Sequence, residues 1–338
     1  MKMPNYKTIE LLLTNDCNNH CSFCYRSHIT NTDSMSIAMV DKIMDFILTE
    51  LPIDENLIIT FWGGEPLLNF NVIKHLTSNY QQLTYHIVTN GSLLDKNMFD
   101  YFLTLTQLDI VWSLGDSIEN FGSVKNKLNQ CELMTRLIKE KYQTVNLMLN
   151  TDTFYDDFSY VFYNLTHNIC IDAPRMGQIF SDNELSKMTA QLLKSLIAFY
   201  GKANFGDIID NCLTENFYPP TCGIEKIMID FDGIIWRCDG AYRNNIDRYG
   251  DIYSGINYNK LDFLWNLRSN PEATILKNCV ECEIYKRCPR HICMGDNLQS
   301  TGNIFNINSG FCQVNKAIYK AVQQYKELYG KSVFCGQV

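Results

Sequence analysis

Three cysteines lie within eight residues of one another near the start of the chain, in the stretch TNDCNNHCSFCYR. Cys17, Cys21 and Cys24 are separated by three and then by two residues. Thiolates at this close spacing are ligands for zinc or for an iron–sulfur cluster. Three ligands leave one iron of a four-iron cluster open to a substrate or cofactor, whereas His20 or His28 would complete a tetrahedral zinc site.

A second set of cysteines follows in the C-terminal half of the chain. Its members are Cys222, Cys238, Cys279, Cys282, Cys288, Cys293 and Cys312. Seven thiolates suit one closed four-ligand site and one three-ligand site, or two closed sites if Cys212 joins them. A pair of zinc ribbons is the alternative on spacing alone. Disulfides are rare where thiols are kept reduced, so the spacing of these cysteines indicates metal binding.

Composition and charge narrow the class of protein. The chain has 338 residues, 14 cysteines and a formal net charge of −8, and an acidic chain is a poor partner for nucleic acid. Its longest apolar runs, such as ELLLT and NLIITFW, have the length of a strand and are too short to span a membrane. The first residues lack the apolar core of a signal peptide. We therefore expect a cytoplasmic protein with neither a nucleic-acid nor a membrane partner.

Short β-rich runs alternate with helical patterns over most of the first 200 residues. The predicted strands cover residues 8–14, 56–62, 84–90, 108–114, 144–150 and 167–173. The predicted helices cover residues 36–51, 70–80, 95–105, 122–142, 154–164 and 184–200. In the first helix Ser36 is the expected N-cap, and Ile37, Val40, Met44 and Ile47 share one face. The alternation predicts an α/β fold of parallel βαβ units, as an open sheet or a barrel, with its chemistry at the carboxyl strand ends.

The pattern changes after about residue 205, where cysteines become dense and periodicity weakens. It returns in residues 314–330, which predict a terminal helix with Gly330 near its C-cap. A small segment with a thin core is often stabilised by metal. We expect a first domain over residues 1–205, a cysteine-rich domain over 206–315, and a helix and tail over 316–338.

The cysteine loop resembles that of the radical S-adenosylmethionine (radical SAM) superfamily, whose pattern is C-x-x-x-C-x-aromatic-C. Phe23 holds the aromatic position, which in the family packs near the adenine of the cofactor. One βα unit later, WGGEPLL resembles the family's Gly-Gly-Glu-Pro motif, formed here by Gly63, Gly64, Glu65 and Pro66. The glycines would let the backbone approach a ligand, the backbone carbonyls and the glutamate would bind an ammonium group, and the proline would fix the turn. The resemblance implies a partial (β/α)6 TIM-like barrel.

Further strand ends resemble the family's cofactor contacts less closely. Thr89 and Asn90 follow the third predicted strand in a turn common in the family. Ser113 stands where the family often contacts the ribose or the carboxylate of the cofactor. Asn150 ends the fifth strand near the expected ribose, and Arg175 follows the sixth near the expected carboxylate. Each is also an ordinary turn or cap residue by its type alone.

The resemblance implies a reaction as well as a fold. In the family, the open iron of a four-iron cluster binds the amino and carboxylate groups of S-adenosylmethionine. One electron, from a reductant such as flavodoxin or ferredoxin, then cleaves the sulfonium and yields a 5′-deoxyadenosyl radical that abstracts a substrate hydrogen. The cofactor carries this chemistry, and the protein positions the reactants and excludes competing reactions.

The second cysteine set resembles the SPASM extension of radical SAM enzymes, which holds two auxiliary four-iron clusters, so the resemblance implies three clusters in all. By position, a distal cluster would use Cys279, Cys282, Cys288 and Cys312. A proximal cluster would use Cys222, Cys238 and Cys293, with Cys212 as its fourth ligand or with one iron open to substrate. The chain departs from the family in having four residues, instead of the usual three, between Cys288 and Cys293.

The candidate catalytic residues, Asp239 and Cys212, come from the same resemblance. Asp239 directly follows Cys238, and in SPASM enzymes that oxidise a protein Ser or Cys an aspartate in this place acts as the base. A carboxylate beside a cluster could deprotonate a substrate group. Asp239 is equally a common turn residue, so this match alone does not select that reaction.

SPASM proteins mostly modify peptides or proteins by crosslinking, epimerising or oxidising side chains. The first predicted strand begins within ten residues of the start of the sequence, so we expect no N-terminal leader-recognition domain. Substrate recognition would then come from the barrel mouth, the SPASM surface or a separate leader-peptide-binding protein. We favour a peptide maturase. The alternatives are an anaerobic sulfatase-maturing enzyme that makes formylglycine, a radical dehydrogenase of a small sugar or cyclitol, and a zinc-stabilised binding protein without radical chemistry.

Overall fold

The computed structural model describes most of the chain and falls into two compact units. The first unit comprises residues 1–111 and 221–274, and the second comprises residues 112–220 and 275–338. The described residues are 5–141, 143–172, 179–203, 205, 209, 212, 223, 225–246, 248–259, 279, 281–284, 297–298, 301–303 and 309–329.

Ten strands are numbered here in chain order. They are β1 (Tyr6–Thr14), β2 (Ile53–Gly63), β3 (Thr84–Thr89), β4 (Leu108–Ser113), β5 (Thr144–Met148), β6 (Ile169–Asp172), β7 (Lys226–Ile229), β8 (Ile234–Trp236), β9 (Arg248–Asp251) and β10 (Gly255–Ile256). Six of them, β1 to β6, match the predicted strands within three residues at each end. The sequence did not predict the four short strands after residue 225, because none is longer than four residues.

The described helices are likewise numbered in chain order. They are α1 (Ile37–Glu50), α2 (Phe70–Asn79), α3 (Lys96–Thr104), α4 (Ser117–Phe121), α5 (Val124–Gln130), α6 (Glu132–Lys141), α7 (Phe154–Asn164), α8 (Asp182–Phe199), α9 (Asp239–Arg243) and α10 (Ser309–Tyr329). Ser36 caps α1 as predicted, since its side chain accepts a hydrogen bond from the Met39 backbone N–H. A capping box between Ser181 and Glu184 starts α8.

Two helix predictions need correction. The single helix predicted over residues 122–142 is two helices, α5 and α6, with Cys131 as the C-cap between them. Ile37, predicted on the buried face of α1, is 43% exposed because it occupies the first turn. Val40, Met44 and Ile47 are buried as predicted. Gly330, the predicted C-cap of the last helix, lies outside the described residues.

The sheet of the first unit has β1 at its centre. Its strand order is β10–β9–β8–β7–β1–β2–β3–β4. The pairs β1·β2, β2·β3 and β1·β7 are parallel, whereas β7·β8, β8·β9 and β9·β10 are antiparallel. On one face, fully buried apolar residues of β1 such as Ile9, Leu11 and Leu13 form part of the core with those of β2 and α1. This arrangement brings the carboxyl ends of β1, β2 and β3 to the same edge.

The second unit contains the end of β4, followed by β5 and β6, and the helices from α4 to α8 together with α10. Strands β5 and β6 are parallel, and β5 follows β4 in the strand order. Stacked phenyl rings form part of the core. The ring centroid of Phe158 lies 5.3 Å from that of Phe199 and 4.9 Å from that of Phe205. Helices α8 and α10 pack together. The Gln313 side chain accepts a hydrogen bond from the Phe180 N–H and donates one to the Phe180 carbonyl. The α/β class with parallel βαβ units is therefore confirmed.

No helix within the described residues combines the length and the apolar character that crossing a membrane requires.

Candidate functional site

The three-cysteine loop begins directly after β1, at the carboxyl end of the central strand of the first unit. Cys17, Cys21 and Cys24 are reduced cysteines and are half-buried. The Asn19 backbone N–H lies 3.4 Å from the Cys17 Sγ, and the Arg26 N–H lies 3.4 Å from the Cys24 Sγ. Cysteine sulfur is the usual ligand of iron–sulfur clusters, and hydrogen bonds to that sulfur are typical around them. The donor set therefore fits an iron–sulfur cluster.

The geometry of a metal centre is not itself built among the described residues. No group of three or more His, Cys, Asp or Glu side chains in that part of the chain is arranged to hold a metal ion. The assignment of the three thiols as ligands therefore depends on their chemistry, on their place at a strand end and on the sequence pattern.

Hydrogen bonds tie the cysteine loop to the turn after β3. Asn18, inside the loop, accepts a bond from the Asn90 side-chain amide at 3.0 Å and donates one to the Ser92 hydroxyl at 2.7 Å. Asn90 in turn accepts bonds from the backbone N–H and the hydroxyl of Ser92. Asn90, expected from the sequence as a cofactor contact, therefore positions the loop.

The two glycines after β2 allow one stretch of backbone to lie directly against another. The Gly64 N–H donates to the Thr14 carbonyl at 2.9 Å, and the Glu65 N–H donates to the Asp16 carbonyl at 2.8 Å. A Cβ at Gly63 would lie 2.5 Å from the Thr14 oxygen, and one at Gly64 would lie 2.2 Å from the Asp16 oxygen. The sequence predicted close approach to a ligand at these glycines, and the approach that the structure shows is to the chain that enters the cysteine loop.

Glu65 is 1% exposed, and its carboxylate joins the ends of β2 and β3. One oxygen accepts bonds from the Leu67 N–H at 3.0 Å and the Thr89 hydroxyl at 2.6 Å, and the other accepts from the Asn90 N–H at 2.9 Å. Thr89 and Glu65 thus bond each other. Pro66, which is buried, occupies the first position of a 3₁₀ turn, Pro66–Asn69. These donors hold the carboxylate in a fixed place at the strand edge.

Two aromatic groups lie near the same edge. Phe23, in the loop, is half-buried. Trp62, one residue before the glycines, packs against Leu12 and Met228. Its indole N–H is buried and has no hydrogen-bond partner among the described residues, so it is a donor open to a bound acceptor.

A buried network links the loop to the segment after β8. Arg26 donates to the carboxylate of Asp239 and to the side-chain oxygen of Asn15, and Arg243 donates from Nε to Asp239 at 2.8 Å. The Asn15 amide also donates to the Tyr242 hydroxyl at 2.6 Å. Burial raises the pKa of Tyr242, although the Asn15 bond and the Arg26 charge oppose the shift. Asp239, a candidate base from the sequence, is therefore engaged by two arginines.

The candidate contacts on β4 and β5 belong to the second unit. The carbonyl of Ser113, at the end of β4, accepts a bond from the buried Lys127 ammonium at 3.1 Å, and Lys127 also pairs with the buried Asp116. Asn150 uses its side-chain oxygen to accept the N–H groups of residues 152 and 153, at 3.0 and 2.8 Å, immediately before α7. The role of Asn150 is one that its residue type predicts, whereas Ser113 acts through its backbone carbonyl. Arg175 lies outside the described residues.

The second cysteine set is described only in part. Cys238 is half-buried and is the N-cap of α9 in the first unit. In the second unit Cys212 and Cys279 are buried, Cys282 and Cys312 are half-buried, and the Cys282 N–H donates to the Cys279 carbonyl at 3.0 Å. All of these are reduced cysteines. The remaining candidate ligands, Cys222, Cys288 and Cys293, lie outside the described residues.

Several residues that build the site were not found from the sequence. They are Asn15, Asn18, Arg26, Tyr242 and Arg243. Asn18 and Arg26 lie inside or beside the cysteine motif, but at positions that the motif leaves free. Their partners lie 72 and 213 residues away, so no local pattern connects them.

Reduced cysteines after the first strand of a parallel βα sheet, beside a Gly-Gly-Glu-Pro turn, match the sequence pattern that resembles the radical SAM superfamily. Residues 11–114 match the model of the Radical SAM superfamily. This part of the chain is therefore a radical SAM domain, as the sequence predicts.

Two curated relatives match the chain to different extents. The radical SAM cyclopropyl synthase TigE of Paramaledivibacter caminithermalis is 24% identical over 96% of this chain and 75% of its own length. The uncharacterized protein MJ0907 of Methanocaldococcus jannaschii is 34% identical over 33% of this chain and 38% of its own length.

Solved structures share the fold over nearly the whole chain. The structure of anSMEcpe with bound AdoMet has a TM-score of 0.71 at 18% identity, covering 99% of this chain and 96% of that one. SuiB of Streptococcus suis bound to S-adenosylmethionine has a TM-score of 0.62 at 14% identity, covering 91% and 77%. These likenesses confirm the fold class predicted from the sequence.

Proposed function

We propose that this chain is a peptide-modifying radical SAM enzyme. Cys17, Cys21 and Cys24 would hold a four-iron cluster, and S-adenosylmethionine would bind beside it at the carboxyl ends of β1 to β3. When bound, this pair supplies a carbon-centred radical that removes a hydrogen atom from the substrate. The observation that carries the proposal is the cysteine loop itself, held in place by hydrogen bonds to two neighbouring strand ends.

The chain's own residues would act by fixing positions and by excluding water. Glu65 holds the ends of β2 and β3 together through three bonds and is not exposed to solvent. The backbone that Gly63 and Gly64 bring against the loop keeps the three thiols at the strand edge. The buried N–H of Trp62 is available to an acceptor on the bound cofactor. Preorganised donors of this kind do not have to reorganise during the reaction.

A peptide substrate is favoured by the proteins that share the fold. Structures of anSMEcpe contain bound AdoMet with the Cp18Cys or Kp18Cys peptide, and one structure of SuiB contains the precursor peptide SuiA. The name of the relative TigE, a cyclopropyl synthase, supports bond formation within the substrate over epimerisation. A reductant such as flavodoxin or ferredoxin and a leader-peptide-binding protein remain proposed partners.

We assign the second cysteine set to two auxiliary clusters as the resemblance implies. Cys279, Cys282 and Cys312 are reduced cysteines in the second unit, as cluster ligands must be. Cys212 is buried and remains the candidate fourth ligand of the proximal cluster. Iron and sulfide analysis of anaerobically purified protein should give about twelve of each per chain. About four would leave only the loop cluster, and zinc without sulfide would contradict the whole assignment.

The proposal is tested by a triple variant, Cys17→Ala with Cys21→Ala and Cys24→Ala. The variant should lose about four irons and all reductive cleavage of S-adenosylmethionine, measured as 5′-deoxyadenosine by liquid chromatography. The matched control is Cys131→Ala, which removes a half-buried thiol outside both sets. Full cleavage by the triple variant would refute the site.

Mass spectrometry of candidate peptides after turnover distinguishes the reactions. Loss of two hydrogens indicates a new bond within the peptide. Deuterium uptake from D₂O at unchanged composition indicates epimerisation. Conversion of a Ser or Cys to formylglycine would instead establish the sulfatase-maturing alternative, and turnover of a sugar or cyclitol alone would establish the dehydrogenase.

A further inference from the structure

The carboxylate of Asp239 is buried and is held by two guanidinium groups. Arg26 donates to one oxygen, and the Nε of Arg243 donates to the other at 2.8 Å. The side chain of Arg26 is 6% exposed, that of Arg243 is 3% exposed and that of Asp239 is 10% exposed. The planar fork of arginine suits this two-sided arrangement. One negative charge therefore lies between two positive ones, largely out of water.

Both ends of this ion-pair network belong to segments that carry candidate cluster ligands. On one side the backbone N–H of Arg26 donates to the Cys24 Sγ, and its guanidinium also bonds Asn15, at the entrance of the loop. On the other side Asp239 directly follows Cys238 and occupies the first position of α9. The carboxylate thus joins two thiol-bearing segments that are 213 residues apart in the chain.

Aromatic and backbone contacts reinforce the same junction. The Arg243 guanidinium lies 4.5 Å from the Tyr25 ring centroid and donates to the Tyr25 carbonyl at 3.0 Å. The Arg26 guanidinium lies 5.8 Å from the Tyr242 ring centroid. Each arginine therefore contacts both the loop and α9, and moving either segment would break a charge pair and a ring contact together.

This environment bears on the role of the carboxylate. Guanidinium groups engage both oxygens of Asp239, whose side chain is 10% exposed, so the carboxylate presents little surface to a substrate. We propose that Asp239 is a positioning residue that fixes the cysteine loop against Cys238, and that it is not the general base. The inference rests on the proposed function in one respect, since it takes the loop and Cys238 to hold clusters.

A double-variant cycle tests the coupling in the full-length chain. Arg26→Gln and Asp239→Asn should each lower the thermal unfolding midpoint, and the pair together should lower it by clearly less than the sum. Asp251→Asn is the matched control, because Asp251 pairs with Arg248 on the surface at 2.9 Å; it should change the midpoint little. Additive effects, or no effect of Asp239→Asn, would overturn the proposal. Arg26→Lys keeps the positive charge, so it should lower the unfolding midpoint less than Arg26→Gln does.

A second measurement separates positioning from base catalysis. Buried charge beside a cluster shifts its reduction potential, so in the cluster-loaded chain Asp239→Asn should raise the potential of the loop cluster and Arg26→Gln should lower it. Both variants should alter the electron paramagnetic resonance spectrum of the reduced cluster and reduce S-adenosylmethionine cleavage. A base would behave differently: Asp239→Asn would keep the wild-type cleavage of S-adenosylmethionine and lose only product. That result would overturn the inference. If the wild-type chain held no cluster, the proposed function would fail, and the unfolding cycle would still report on the coupling.

Discussion

Two buried aspartates show how differently the two units secure the end of a strand. Asp239 in the first unit is held by Arg26 and Arg243, and its pairing with Arg26 spans 213 residues of chain. Asp116 in the second unit is held by Lys127, only 11 residues away, and both are almost fully buried. The first pairing joins segments that the chain keeps apart, and the second closes one local turn between β4 and α5. A buried ion pair can therefore either join segments that are far apart in the chain or fix the shape of a single connection.

The largest expected effect is on the local pair. Lys127→Met should lower the free energy of unfolding by about 3–5 kcal/mol, because it leaves the buried Asp116 without the lysine. The Ser113 carbonyl loses a donor in the same variant. Urea denaturation followed by circular dichroism measures the change.

The companion variant adds Asp116→Leu to Lys127→Met. Removing both charges should restore much of the lost stability, since an apolar pair often replaces a buried ion pair at little cost. If the double variant is as unstable as the single one, the lysine acts through its bond to Ser113 and its contact with the Phe121 ring, 5.5 Å away.

The next effect concerns the backbone contact that seats the cysteine loop in the first unit. Gly64→Ala should cost about 1–3 kcal/mol, because the new methyl would overlap the Asp16 carbonyl. It should also reduce the iron retained by the loop. Gly201→Ala is the contrasting control: it has open space around it and a φ of +76°, so it tests backbone strain alone. Equal loss of iron in both variants would show that global stability, and not the loop contact, controls cluster binding.

The smallest effect is a dependence on pH. His86 on β3 has no ion-pair partner within the described residues, and burial lowers its pKa, with the Asp109 charge opposing the shift. Between that lowered pKa and about 6.5 the unfolded chain binds more protons than the folded chain, so stability falls as the pH drops through this interval. His86→Gln should flatten this slope. Urea unfolding between about pH 5 and 8 measures the pH dependence of stability. An unchanged slope in the variant would show that another group causes this dependence.

Much of the fold follows from local sequence patterns. The alternation of β-rich and helical segments predicts β1 to β6, because each strand carries apolar residues that the sheet buries. The antiparallel strands from β7 onward escape prediction because they are two to four residues long. The break at Cys131 escapes it because α5 and α6 share one helical periodicity across the boundary.

The residues of the candidate site likewise fall into those that local sequence patterns predict and those that depend on contacts across the fold. Cys17, Cys21 and Cys24, and the glycines after β2, are found from spacing and residue type. Their supporting groups depend on contacts across the fold: Asn18 is matched to Asn90 only once β1 and β3 end at the same edge. Sequence reasoning gave Asp239 a chemical role from its neighbour Cys238, but its pairing with Arg26 depends on how β1 and β8 are brought together.

The position of β1 has a consequence for how the chain acquires its structure. β1 is synthesised before both of its partners, and it pairs in parallel with β2 on one side and with β7 on the other. One hydrogen-bonding edge of the strand that leads into the cysteine loop therefore has no partner until residues 226–229 have been made. Long-range pairing of this kind is slow, and an open strand edge invites aggregation. A nascent chain that stopped before β7 would contain the complete cysteine motif on a strand with one edge still open.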